Sequence, residues 1–382
     1  MKVIIIIFML FYFNSASGQL DFNDSLLINL NQKVSKGTAT SDDFASRAYI
    51  LTTKNEFKKA LKDINKAIDL IEQSPNDTFH IFKAELFETL GKKNKVLGEA
   101  QKALSINYNT HNLLAAIELA YDINAFDECI QYANEYLIFD QKNPKVFYYK
   151  GASFLAKGML ESAVHSALIQ AIKLKGHAEN PEKLEAYSLY QLGLYHYKKK
   201  NWDSSLTCFL DIYNNHDSLI EVMNLHYGLG ECYFLINEYS KAIFYLSKYN
   251  SQEDWYNVQY LLGRSYEYLE LYQNASDYYS IIIKDHDKNN IPYATLHRGI
   301  CQFYLGNFEN SIKDLRKAKR KWYEDEPILY FYLSQSYFDS NQHEKACNNL
   351  REGLLSENEN NSETKEMLLE LMEKYGCPSK SE

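Results

Sequence analysis

Apolar residues return along this chain in short bursts at three- and four-residue spacing, paired two by two across brief polar turns. Residues 224–250, NLHYGLGECYFLINEYSKAIFYLSKYN, show the pattern in one unit. Leu229, Gly230 and Tyr233 share one stripe of a first helix, Ile236, Asn237 and Glu238 make a turn, and Tyr239, Ala242, Leu246 and Tyr249 form the facing stripe of a second. Gly230 and Ala242 are small, which places them where the two helix axes approach most closely; a larger side chain there would hold the backbones apart. One such hairpin cannot bury its own apolar stripe, so it must stack on another copy.

The register recurs. In the first helix the close-contact position falls at Ala48, Ala84, Ile117, Gly151, Gly193, Gly230, Gly263, Gly299 and Ser334, at spacings of 36, 33, 34, 42, 37, 33, 36 and 35 residues. In the second helix it falls at Ala60, Val96, Cys129, Ala163, Ser205, Ala242, Ala275, Ser311 and Ala346, all small except Val96. A bulky residue three positions earlier opens most second helices: Phe57, Phe126, Leu160, Trp202, Tyr239, Tyr272 and Phe308, with Lys93 and His343 departing from the rule. The Leu-Gly, aromatic, Ala, bulky pattern resembles the tetratricopeptide repeat family, whose unit is a 34-residue helix-turn-helix. The resemblance covers roughly residues 41 to 360. It implies an all-α, right-handed α-solenoid of about nine repeats with a capping helix at each end.

In chain order, Met1–Lys2, an apolar run from Val3 to Phe13 and a small-residue exit give the layout of a secretory signal peptide over 1–18, with cleavage near Gly18. An N-terminal cap occupies 19–40, with a helix from Asp24 to Lys36 that buries Leu26, Leu27, Leu30 and Val34 and stops at Gly37. Repeats one to four fill 41–178 and repeats five to nine 179–360. Between them Gly176 and Pro181 interrupt the helical pattern in an insert at 175–185, expected as a local irregularity of one continuous solenoid. A polar linker at 357–361 leads into a closing helix within 361–376, its buried stripe Met367, Leu368, Leu371 and Met372; residues 377–382 are expected to be a flexible tail.

Charge and cysteine narrow the partners. The formal net charge is −9, or −10 without Lys2, and few of the 41 basic residues are Arg, so the chain lacks the basic stripe that a phosphate backbone requires. Nucleic acid is excluded as a partner, and no later stretch is long and apolar enough for the mature chain to enter a membrane. Cys232 and Cys301 hold equivalent places two repeats apart and should not meet, and Cys129 fills a packing slot. Cys208 with Cys232, and Cys347 with Cys377, are the pairs the register permits; reduced, buried thiols are the alternative.

Chemistry is hard to find. His343-Glu344-Lys345-Ala346-Cys347 lacks the second histidine of a zinc helix. Asp285 to Asn289 opens like a calcium loop, but Asn290 stands where glycine is needed and Leu296 where the bidentate glutamate belongs. Gly228-Leu229-Gly230 lacks the third glycine of a dinucleotide loop. No catalytic residue, metal ligand or cofactor is expected, and the reading is of a protein without enzymatic activity.

Binding is expected instead. Side chains six, three and two before each first-helix close contact, and one, four and five after it, share the face opposite the packing stripe. In the family that resemblance names, first helices line the concave side, so this face implies a groove. Its members are Tyr148, Tyr149, Tyr187, Tyr190, Tyr197, Tyr227, Glu231, Phe234, Tyr260, Arg264, Tyr268, Tyr293, His297, Tyr304 and Tyr332, with Glu267 among further polar ones. Tyrosine offers a flat ring and a hydrogen-bonding tip at low entropic cost, which suits recognition; the alternative is that many of these rings pack between helices. The resemblance does not reach the members that clamp a terminal carboxylate with Lys, Asn and Arg on three consecutive repeats. Here Lys145, Asn224, Asn257 and Arg264 are scattered over four. The expectation is an interaction scaffold of the bacterial periplasm or cell surface that holds a peptide or protein in this groove. A glycan-binding component of an outer-membrane system, or the sensory region of an envelope signalling protein, are the alternatives.

Overall fold

Each hairpin turns on one residue in the left-handed region. In a computed structural model that describes residues 16–71, 74–216, 218, 224–249, 255–284, 291–322, 327–355 and 362–378, positive φ angles occur at Asn55, Gly91, Asn124, Gly158, Lys200, Asn237, Glu270, Gly306 and Asn341. Each of these nine lies seven residues after the first-helix close contact read from the sequence. The left-handed residue ends one helix and lets its amide reach back to a carbonyl of the last turn, as Asn237 N does to Phe234 O at 3.0 Å.

The described residues contain twenty α-helices, one short 3₁₀ turn and no strand. Helix α1, Ala16–Ser35, precedes the hairpins. These are α2 Ser41–Thr53 with α3 Phe57–Asp69, α4 Asp77–Thr89 with α5 Lys93–Ile106, α6 Thr110–Asp122 with α7 Phe126–Phe139, and α8 Pro144–Ala156 with α9 Ser162–Lys173. Then follow α10 Pro181–Lys198 and α11 Trp202–Asn215, and the hairpins α12 Leu225–Leu235 with α13 Tyr239–Leu246 and α14 Trp255–Tyr268 with α15 Tyr272–Lys284. Last come α16 Ile291–Tyr304 with α17 Phe308–Trp322, α18 Pro327–Asp339 with α19 His343–Leu355, and the closing α20 Ser362–Lys374. Five first helices start on side-chain caps: Thr40, Asn76, Asn109, Asn143 and Asn180 each accept a hydrogen bond from an amide of the first turn, whereas Asn224 before α12 does not.

Two compact units result, divided after Lys199 rather than in the 175–185 insert, where a 3₁₀ turn at Lys175–His177 leads into α10. Within each unit, successive helices pack on one another, and first helices also meet the first helix of the next hairpin: α4 on α6, α6 on α8, α12 on α14, α16 on α18. Small residues set the distance. A Cβ added to Gly230 would lie 2.5 Å from Leu246 Cγ, one on Gly299 2.9 Å from Leu315, and one on Gly151 2.8 Å from Leu168. Beside these contacts two Arg–Asp pairs tie first helix to second: Arg47 to Asp63 at 2.6 and 2.7 Å, and Arg298 to Asp314 at 2.7 and 2.8 Å, both bidentate.

Four expectations need correction. Ala163 is exposed and Val164 takes its packing slot, because Glu161 stays extended as the N-cap and α9 begins at Ser162, about two residues later after its turn than the other second helices. Tyr249 is not part of α13, which ends at Leu246 after two turns. The first cap helix starts at Ala16, upstream of Gly18, and buries Leu30, while Leu26, Leu27 and Val34 are half-buried. The tail is tied down at its start: Cys377 is bonded to Cys347, and Arg351 Nε donates to Pro378 O at 3.1 Å. The apolar run of 1–15, the loop of 285–290, the linker of 357–361 and residues 379–382 lie outside the described residues.

Candidate functional site

Gly263 turns one face of α14 into α15, where its Cβ would stand 2.7 Å from the ring of Tyr279. The opposite face of α14 therefore carries Tyr260, Arg264, Glu267 and Tyr268 out of the packing layer. The same rotation on α16 presents Tyr293, Leu296, His297, Ile300 and Tyr304, and α18 adds Ile328 and Tyr332. With Tyr272 from the start of α15, these residues enclose a pocket of about 540 Å³ in the second unit. Seven of the fifteen residues expected in the groove meet here: Tyr260, Arg264, Tyr268, Tyr293, His297, Tyr304 and Tyr332.

Their polar atoms form one network. Arg264 Nη1 donates to Tyr260 Oη at 3.3 Å and to His297 Nε2 at 3.4 Å, and Nη2 donates to Tyr268 Oη at 2.6 Å. A guanidinium has only donors, so His297 Nε2 must accept and Nδ1 carries the proton, which it gives to Glu267 Oε1 at 3.2 Å. Tyr279 Oη donates to Glu267 Oε2 at 2.6 Å. Burial alone would raise the Glu267 carboxyl, but these bonds and the charge of Arg264 hold it below its ordinary value. The Arg264 guanidinium, for its part, gains more from these oxygens than it loses by burial and is held still more firmly charged. At the far side Tyr304 and Tyr332 share a hydroxyl bond at 2.8 Å. Two ring pairs frame the pocket, Tyr239 stacked on Tyr268 at 4.5 Å and Tyr272 on Tyr304 at 4.4 Å.

Three solved structures put this architecture in context. The apo form of RapI is similar with a TM-score of 0.52 at 12% identity, over 70% of this chain and 82% of its own. The C-terminal part of a TPR repeat-containing protein of Cytophaga hutchinsonii gives 0.49 at 15% identity, over 64% and 95%. A tetratricopeptide repeat protein of Parabacteroides merdae gives 0.43 at 14%, over 78% and 98%. This chain has the tetratricopeptide-repeat fold. No protein-family profile matches the sequence, and no curated protein does.

Within that fold the other expected groove residues do not line the pocket, although the Phe234 ring lies 5.9 Å from that of Tyr268. On α12 of the second unit, Tyr227 Oη donates to Glu231 Oε1 at 3.3 Å, and Phe234 packs edge-on against Tyr239 at 5.7 Å. In the first unit, Tyr148, Tyr149 and Tyr187 join Tyr121 in a chain of ring contacts 5.2 to 6.3 Å apart. Tyr149 packs on the core there, and Tyr190 and Tyr197 are half-buried on α10. Burial, then the neighbouring rings and acids, pushes the Tyr148 and Tyr149 hydroxyls far up. Nearby Glu85 and Asp122 are raised by burial and by the charges of Glu88 and Glu118. The pocket also holds residues the sequence reading passed over: Leu296, Ile300 and Ile328 lie on the face defined by the repeat register, but only aromatic and polar members were read from it. Tyr272 gave no such signal, since its position marks the start of a second helix.

The tetratricopeptide packing also decides the cysteines. Cys347 and Cys377 are joined. Cys208 and Cys232 are not, because the Cys232 thiol turns to the small-residue slot of α11 and donates to Ser205 Oγ at 3.5 Å. Burial pushes both thiols up to about 11, as it does Cys129, which leaves them unreactive near neutral pH. Among the described residues no group of three or more His, Cys, Asp or Glu could hold a metal ion, and no helix is long and apolar enough to cross a membrane.

Proposed function

We propose that this chain is a non-enzymatic scaffold, exported to the periplasm or cell surface, that holds a peptide or protein partner in the tyrosine pocket of its second unit. The observation that carries the reading is convergence. Residues chosen only by helical phase, on α14, α16 and α18, line one pocket within the usual size range of ligand sites. The charged and basic groups in it engage one another: both Glu267 oxygens, both His297 ring nitrogens and the two terminal nitrogens of Arg264 are bonded within the network, while Arg264 Nε lies buried 3.8 Å from Glu267 Oε2 without a hydrogen bond, which favours binding over acid–base chemistry.

The Cys347–Cys377 disulfide and the N-terminal charge-and-apolar pattern support export, since such bonds persist in oxidising compartments. In this reading residues 1–18 are removed, and α1 and α20 cover the two ends of the repeat array.

Site-specific photo-cross-linking in cells tests the site. A cross-linking residue at Tyr293 or Tyr304, half-exposed at the pocket, should trap a discrete partner that the same residue at exposed Tyr108 or Ile138 in the first unit does not. Equal trapping from all four positions, or none from the pocket, would refute the proposal.

A further inference from the structure

The hydrogen-bond inventory of the pocket is one-sided. Tyr260 and Tyr268 each accept from Arg264, so each keeps its own hydroxyl proton to give. Of Tyr304 and Tyr332, one donates to the other and the second proton remains. Both oxygens of Glu267, the one carboxylate in the wall, are occupied by His297 and Tyr279. Tyr260, Tyr268 and the Tyr304–Tyr332 pair therefore offer three hydroxyl donors, while both oxygens of the one carboxylate are engaged, and between them lie the apolar side chains of Leu296, Ile300 and Ile328.

An occupant that fits must bring bare acceptors and apolar surface, and few donors, because a buried donor without a partner costs about 1–3 kcal/mol. A sugar brings as many hydroxyl donors as acceptors and would leave several unpaired. An acidic side chain brings acceptors, but the Arg264 charge it would seek is already balanced by ionised Glu267 beside it. A proline-containing segment in the polyproline II conformation meets each requirement: no N–H at proline, carbonyls with no internal bond, and flat rings that pack on aromatic faces at little entropic cost.

We propose, resting on the peptide-site reading above, that the pocket recognises a proline-containing extended segment of its partner, with Tyr260, Tyr268 and the Tyr304–Tyr332 pair donating to its carbonyl oxygens.

Fluorescein-labelled decaproline, titrated into the full chain and followed by anisotropy, is the direct probe, with a labelled hexaglutamate peptide and maltohexaose as competitors. Decaproline should bind saturably and resist both competitors. Tyr260→Phe and Tyr268→Phe, which keep the ring and remove one donor, should each weaken it about 3- to 10-fold, the equivalent of one neutral hydrogen bond, while Tyr108→Phe in the first unit changes nothing. Circular dichroism identical to the parent shows that the variants are folded. Hexaglutamate binding in place of decaproline, or decaproline binding unaffected by either pocket variant, would overturn the inference and leave the peptide site standing. Binding of maltohexaose alone, with no cross-linked partner at Tyr293 or Tyr304, would overturn both.

Discussion

Replacing Gly230 by Ala adds a single methyl group at the closest approach of α12 and α13. That methyl would lie 2.5 Å from Leu246 Cγ, 2.7 Å from Cδ2 and 3.2 Å from the Leu246 backbone nitrogen. Leu246 is fully buried, so its side chain has no free space to swing into and the helices must separate. Overpacking of this kind costs up to about 3 kcal/mol, and the helix preference of Ala over Gly returns about 1, so the net loss should be about 2 kcal/mol. Gly98, in the middle of α5, provides the control: a Cβ there meets nothing within 4 Å, and the residue is exposed. Gly98→Ala should therefore gain the helix preference alone, about 0.5–1 kcal/mol. Thermal unfolding reads both, at about 2–4 °C per kcal/mol for a unit of this size. Gly230→Ala should melt about 4–8 °C lower and Gly98→Ala slightly higher. If the two substitutions shift the midpoint in the same direction, close packing at small residues is not what sets the hairpin spacing.

Three further outcomes follow from the same geometry. Glu270 holds a left-handed turn at φ 60° without glycine's freedom, so Glu270→Gly should raise stability by about 0.5–1 kcal/mol in urea titration; a loss would mean that its side chain matters to the turn. Glu267 has a folded-state value below its ordinary one, so its contribution is present above the usual carboxylate range and is lost as pH falls through the lowered value. Glu267→Gln should then cost about 1–3 kcal/mol at pH 7, with the gap to the parent closing on acidification; a gap constant with pH would contradict the network. The Cys347–Cys377 bond closes a loop with a sequence separation of 30, which by chain entropy is worth about 3–4 kcal/mol. Cys377→Ser should accelerate hydrogen exchange in Ser362–Lys374 and leave the first unit unchanged, whereas unaltered exchange would show that Leu368, Leu371 and Met372 hold the cap without help.

The hairpins were legible in the sequence because two independent signals coincide in them, a small residue at nearly every close approach, Val96 and Ile117 excepted, and an apolar stripe at helical spacing. Where one signal fails, so does the reading. Ala163 is small and five residues past the turn, as in the other repeats, but nothing in GMLES announces the extended Glu161 that moves Val164 into the slot. The left-handed turn residues were harder to see, since Lys200 and Glu270 have no intrinsic preference for that conformation and are held there by the helices on either side. At the site, helical phase found the face, and packing between hairpins then chose which part of it stays open. Tyr148, Tyr149 and Tyr187 spend their rings on one another, whereas Tyr268, Tyr293 and Tyr304 keep about half of their surface exposed. That difference depends on the neighbouring repeats and not on the residues themselves. The register permitted both cysteine pairs, and it held no sign that the Cys232 thiol would bond to Ser205 instead of Cys208.

The most direct test of the account is fluorine NMR of chain carrying fluorotyrosine at one position at a time, titrated with the partner trapped by cross-linking. The resonance of Tyr268, at the edge of the pocket, should move with saturating partner, and that of Tyr148, within the ring cluster of the first unit, should not. A shift at Tyr148 with Tyr268 unmoved would contradict the account and transfer recognition to the other unit.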